Sequence, residues 1–140
     1  MNLLSAIDVT SDALNAEKIR LDVIGQNIAN AQTTRGPDGL PYQRKVVTFE
    51  TQLREATGVD GGALLGGLRV AGITADPTPG EMIHDPGHPH ADANGMVRMP
   101  NVKIAQEMVD LITASRAYEA NLSVVRTARQ MAMRALQIGK

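Results

Sequence analysis

The sequence predicts a mainly α fold with a small β-rich insert, in which long N- and C-terminal helices pack as a coiled-coil-like stem and short strands lie between them. Three observations carry this. All seven prolines fall between Pro37 and Pro100, and only Gly25 and Gly139 of the thirteen glycines fall outside residues 36–100. Ile7, Leu14, Leu21 and Ile28 recur at seven-residue spacing near the N-terminus. A longer apolar seam runs through the last forty residues. The domain division that follows is 1–32 and 101–140, which form one discontinuous helical domain, with 33–100 as a Gly/Pro-rich β insert.

The first helix is expected over residues 3–31. Leu3 and Ile24 flank its heptad line, while Thr10 and Glu17 interrupt the companion stripe. A period near 3.5 marks a helix that packs along another helix. A stripe this narrow on a helix this polar is marginal in water and needs a partner.

Short strands are expected in the insert. Val47, Phe49, Thr51 and Leu53 alternate with polar neighbours, as in a half-buried strand. Leu68 and Val70 suggest a second strand, whose alternation Ile73 breaks. Met82-Ile83 and Met96-Val97 are short candidates, Asn94-Gly95 is a turn signal, and Gly58–Gly67 reads as a mobile loop. So few long strands argue for a small outgrowth on a helical stem.

The last helix is expected over residues 102–138, a rod of roughly 55 Å at about 1.5 Å per residue. Its seam steps through Ile104, Met108, Leu111, Ser115, Tyr118, Leu122, Val125, Arg129, Ala132 and Leu136. Pro100 stops the preceding structure, Asn101 is an expected N-cap, and Gly139 an expected terminator.

Composition narrows the function. Tyr42, Phe49 and Tyr118 are the only aromatics, so the core must be aliphatic and alanine-rich, a kind of seam that a second chain often completes. The net charge of −1 gives no sequence-wide attraction to nucleic acid or to an anionic membrane. Residues 1–32 are nevertheless acidic and residues 101–140 basic, which would favour docking of one on the other. There is no cysteine, hence no disulfide or thiolate chemistry. No apolar run approaches the roughly 20 residues of a membrane span, and the N-terminus has no Sec-type signal pattern.

Few residues suggest chemistry. His84, His88 and His90 stand among Asp85 and Asp92, types that ligate zinc or nickel. Their spacing fits no standard zinc site, and the plainer reading is a polar turn between two strands. No nucleophile elbow and no phosphate-binding loop occurs, so no catalytic or cofactor-binding residue is expected. Asn27, Asn30 and Asn121 read equally well as helix-face or C-capping residues and as polar contacts that fix register across helices.

Two segments resemble the flagellar rod/hook family of axial proteins. Asn27-Ile28-Ala29-Asn30-Ala31-Gln32-Thr33 is similar to the family signature that closes its amphipathic N-terminal helix. Glu107-Met108-Val109-Asp110-Leu111-Ile112-Thr113-Ala114-Ser115-Arg116-Ala117-Tyr118-Glu119-Ala120-Asn121 is similar to its C-terminal signature. Gly36–Tyr42 and Ala91–Val102, with the short insert, resemble a proximal-rod branch in particular. The resemblance implies a non-enzymatic structural subunit that polymerises helically and transmits torque from the membrane ring to the distal rod and hook. It implies residence in the rod within the periplasm, reached through the flagellum's own type III export apparatus without a cleaved signal. Implied partners are its own copies, FlgB, FlgF, FlgG and the junction protein FliE, with no nucleic acid and no membrane insertion. The terminal helices are expected to order on assembly. Expected interface residues are Ile7, Leu14, Leu21, Ile24, Asn27, Ile28 and Asn30 on the first helix, and Ile104, Met108, Leu111, Tyr118, Asn121, Leu122, Val125 and Leu136 on the last. The alternatives are a FlgB-type subunit, a small metal-binding protein built on His84, His88 and His90, and a secreted coiled-coil adaptor.

Overall fold

The computed structural model describes residues 3–55 and 64–138. Helix α1 spans Leu3–Ala29, strands β1 Lys45–Glu55, β2 Leu64–Ala75, β3 Met82–His84 and β4 Met96–Arg98 follow, and helix α2 spans Ile104–Ile138. Gly139 and the residues 58–63 of the glycine-rich stretch lie outside the described residues.

Both terminal helices form where apolar spacing predicts them. Helix α1 ends in local chemistry: the Asn30 side-chain amide donates to the Gln26 carbonyl at 2.9 Å, beside the Asn30 backbone N–H that donates to the same oxygen at 3.1 Å. The Thr33 hydroxyl in turn donates to Asn30 Oδ1. A turn reverses the chain at Gly36–Leu40, with Gly39 at φ 79°, a conformation that side chains resist.

Strands β1 and β2 pair antiparallel, from Lys45↔Ala75 to Glu55↔Leu64. They are longer than the sequence suggested, 11 and 12 residues. Leu64–Gly67, read as loop, belongs to β2; glycines there conceal a strand whose pairing supplies the order. The broken alternation at Ile73 has a physical cause. The register shifts between Thr48 and Phe49, which pair with Gly72 and Val70 and leave Ala71 as an extra residue. That bulge returns Ile73, opposite Val47, to the face of Val70 and Leu68. Strands β3 and β4 form a separate two-stranded ribbon. Asp92 organises its connection, accepting the backbone N–H groups of Asn94 and Met96, with Gly95 at φ 73°.

Helix α1 is the centre of the molecule. It packs against α2 on one side and against β1 and β2 on another, whereas among the described elements α2 packs on α1 alone. A hydrogen bond from Asn27 to Glu107 joins the end of α1 to the first turn of α2, so the helices run antiparallel. Among the described residues the buried apolar side chains are Ala16, Val23, Ile24, Ala31, Val97 and Ala114, half of them alanine, which lets backbones approach closely. Gly67 serves the same end, since a Cβ there would fall 2.6 Å from the Asp12 carboxylate on α1.

Helix α2 begins at Ile104, and the Lys103 carbonyl accepts the Glu107 N–H. Asn101 is therefore not its cap. Its side chain is taken by the loops, donating to the carbonyls of Asp76 and Thr78 and accepting the Arg44 N–H at 2.6 Å.

A Cβ at Gly80 would lie 1.7 Å from the Met99 carbonyl oxygen, whereas one at Gly25 meets nothing within 4 Å. Gly80→Ala should lower unfolding stability by about 2–3 kcal/mol, and Gly25→Ala, in a helix interior, should raise it by about 0.5–1 kcal/mol. Urea midpoints of the two variants against the parent chain check both signs.

Candidate functional site

The most ordered chemistry in the molecule is a knot of polar side chains at the base of the helical pair. Asn27, 1% exposed, stands near the end of α1. Its amide nitrogen donates to the Lys45 carbonyl at 2.9 Å and to Glu107 Oε2 at 3.0 Å. Its amide oxygen accepts from the Lys45 N–H and from the Tyr42 hydroxyl, both at 2.9 Å. Two donors and two acceptor positions are all that a primary amide has. None is left over.

Glu107, wholly buried, is the second centre. A lone buried carboxylate is strongly unfavourable. Here Arg44 Nε approaches Oε1 at 2.5 Å while Asn27 serves Oε2. The same guanidinium reaches Asp110 Oδ2 at 3.2 Å, one turn along α2. Glu107 also lies in the first turn of α2, where a negative charge suits the helix dipole. The knot therefore ties α1, α2 and the start of β1 together. Asn101 extends it to the loop after β2, where hydrogen bonds from the Thr78 hydroxyl and backbone hold the Asp76 carboxyl below its usual range, with Arg44 adding to the effect.

Burial, and then the neighbouring Glu107 charge, raise the Tyr42 hydroxyl above its ordinary 10.0. Neutral Tyr42 can donate to Asn27; ionised Tyr42 cannot, and would face Glu107.

The donors and acceptors satisfy one another, and what they accomplish is the fixing of two helices and a strand in one register.

Comparison with known proteins gives the same reading. Residues 7–37 match the family model described as Flagella basal body rod protein. Residues 93–138 match that described as Flagellar basal body rod FlgEFG protein C-terminal. Over 140 residues and the whole of both chains, the sequence is 43% identical to the flagellar basal-body rod protein FlgC of Yersinia enterocolitica. It is 40% identical to that of Salmonella typhimurium over the same full lengths, and 35% identical to that of Bacillus subtilis over 150 residues covering all of each chain. The chain belongs to the FlgC family.

This FlgC-family chain is thus a structural subunit of the flagellar basal-body rod. Agreement over full length favours that branch over a FlgB-type subunit. The two matched segments carry the two halves of the knot, Asn27 in one and Glu107 in the other, while the β1–β2 hairpin lies between them.

The sequence-expected interface residues fall in distinct surroundings. Ile24 and Asn27 are buried; Ile7, Leu14, Leu21, Ile28 and Asn30 on or beside α1, and Leu111, Tyr118, Asn121, Leu122 and Val125 on α2, are half-buried; Ile104, Met108 and Leu136 are exposed. Of the asparagines, Asn27 makes the cross-helix contacts and Asn30 the C-cap. Sequence reasoning missed Tyr42, Lys45 and Glu107 as partners of Asn27, and Arg44 and Asn101 as the residues that extend the knot from Glu107 to the loops. One signal was available: Glu107 stands seven residues before Ala114, on the line that becomes the buried seam of α2.

The histidines do not gather into a ligand set. His90 Nδ1 bonds the Thr34 hydroxyl at 2.8 Å, His88 Nδ1 accepts the His90 backbone N–H at 3.0 Å, and the two rings meet edge to face. Among the described residues no three His, Asp or Glu side chains converge as metal ligands, and no helix is long and apolar enough to cross a membrane.

Asn27→Ala strands the Lys45 amide, the Tyr42 hydroxyl and part of Glu107, and should cost about 3 kcal/mol. Asn27→Asp, which sets a carboxylate against Glu107, should cost more; chemical denaturation ranks the two. Tyr42 gives a separate test through pH. Because its folded pKa is raised, the stability it contributes is full below pH 10.0 and is lost as the pH rises from there through the folded value. The stability difference between the parent and Tyr42→Phe should therefore shrink above pH 10.0, and unfolding curves measured on either side of that value read it.

Proposed function

We propose that this subunit works in the proximal rod, within the periplasm, polymerising helically to form the drive shaft that passes torque from the membrane ring to the distal rod and hook. It is a cohesive part and not an enzyme. Its neighbours are further copies of itself, FlgB, FlgF and FlgG, with FliE at the ring junction, and it reaches its place through the flagellar type III export apparatus.

The observation that carries this reading is the unfinished surface of α2. Among the described elements the helix packs on α1 alone, and Met108, Val109, Ile112, Val124 and Met131 are each more than half exposed. Monomers rarely leave so much apolar surface uncovered. Coiled-coil-like packing between subunits would cover it, with Leu14, Leu21 and Ile28 contributing from α1 and Met108, Leu122 and Val125 from α2. The terminal helices would then complete their folding on assembly, which restrains premature polymerisation.

Leu14→Asp or Leu122→Asp would force a carboxylate into an apolar seam at a cost of several kcal/mol. In a strain lacking its own copy, each variant should be exported yet give no completed rod and no swimming. Export is read from the secreted fraction and rod completion from isolated basal bodies. Normal basal bodies with either variant would sink the proposal.

A further inference from the structure

We infer that the outward face of α2 in one copy seats on the outward face of α1 in a second copy, in a head-to-tail contact whose direction is set by charge. This rests on the rod reading for the premise that copies meet, and adds which faces do so.

The outward face of α1 is formed by Asp8, Asn15, Lys18, Ile19, Asp22 and Gln26, all exposed. Asp8, Asn15 and Asp22 repeat at seven residues and so share one stripe. On α2, Arg116, Arg126 and Arg134 are exposed among Val109 and Ile112, with Glu119 the one acidic group between Arg116 and the helix end. Neither these three arginines nor Asp8 and Asp22 stand in an ion pair among the described residues.

Opposite charges on two packed helices would ordinarily meet across their seam. Here the seam takes the apolar and alanine residues, and both sets of charges are turned away from it on opposite outer surfaces. One copy cannot bring them together, and two copies can.

The contact must also be heterologous. Setting α2 on α2 places arginine against arginine, and α1 on α1 places aspartate against aspartate; like charges facing each other exclude a wrong partner more strongly than opposite charges attract the right one. Seating α2 on α1 leaves each copy with one face free, so the contact propagates into an open chain instead of closing a dimer. Val109 and Ile112, against Ile19, supply the apolar contact, and the charges select orientation.

The test uses two full-length variants: Asp8→Arg/Asp22→Arg, with both outer faces basic, and Arg116→Glu/Arg126→Glu/Arg134→Glu, with both acidic. Sedimentation at low salt should show each alone losing self-association about 100-fold. An equal mixture should recover to within about threefold of the parent, because each face of one variant now complements the other variant. Far-ultraviolet circular dichroism verifies that both variants keep their helices. The milder Asp8→Asn/Asp22→Asn, which keeps size and shape, should lose roughly tenfold. An unchanged single variant, an α1 reversal without effect beside an α2 reversal with one, or a mixture no better than its components overturns the contact. The parent chain and both reversals are also placed in a strain lacking its own copy. Swimming restored by all three overturns this contact alone, whereas a parent chain that restores no rod overturns the rod reading beneath it.

Discussion

A primary amide offers two donors and two acceptor positions, and Asn27 places all four on groups from three separate parts of the chain. Two go to the backbone of Lys45 at the root of β1, one to Tyr42 in the loop before it, and one to Glu107 on α2. Because the site is buried, losing any of these partners leaves a polar group without water to replace it. The pairing of the helices and the attachment of the insert are therefore one event. Arg44 reinforces this from the other side, since its guanidinium joins Glu107 to Asp110 while its backbone N–H is held by Asn101.

The parts of the fold legible in the sequence are those governed by periodicity and by helix breakers. Both long helices, the start of β1 and the two strands of the β3–β4 ribbon follow from those signals alone. The parts that were not legible are those decided by tertiary contact. Gly66 and Gly67 argue for a loop by propensity, yet they pair with Leu53 and Gln52, and Gly67 is needed because a side chain there would meet Asp12. Asn101 has the chemistry of a helix cap and serves the loops instead, because two carbonyls and an N–H converge on it. The role of Asn27 was half legible: a polar residue near an apolar stripe suggests a register contact, but its partner Tyr42, and Arg44 on the far side of Glu107, stand in a loop, where periodicity carries no information.

The scarcity of aromatic residues also has a structural consequence. Among the described residues of the two helices the buried apolar side chains are Ala16, Val23, Ile24 and Ala114, so the hairpin of helices gains little from its own core. Its specificity comes from polar contacts and close backbone approach. A subunit built this way can hold a defined shape while keeping its larger aliphatic residues, Met108, Ile112 and Leu136 among them, on its surface for neighbours.

This division of labour matters because an apolar seam alone controls register weakly. Sliding or rotating one helix against another by a residue exchanges one aliphatic contact for a similar one, yet it turns every outward side chain by about 100° and shifts it by about 1.5 Å. In an isolated protein such a slip would be a local defect. In a polymer assembled through the proposed faces of α1 and α2 it would displace the surfaces that meet the next copy, and the error would be passed from copy to copy. The Asn27–Glu107–Arg44 knot permits no such slip, since a shift of one residue would break several buried hydrogen bonds at once. It lies at the one place where α1, α2 and the insert all meet, so a single lock holds the relative position of every surface through which a neighbour could be engaged.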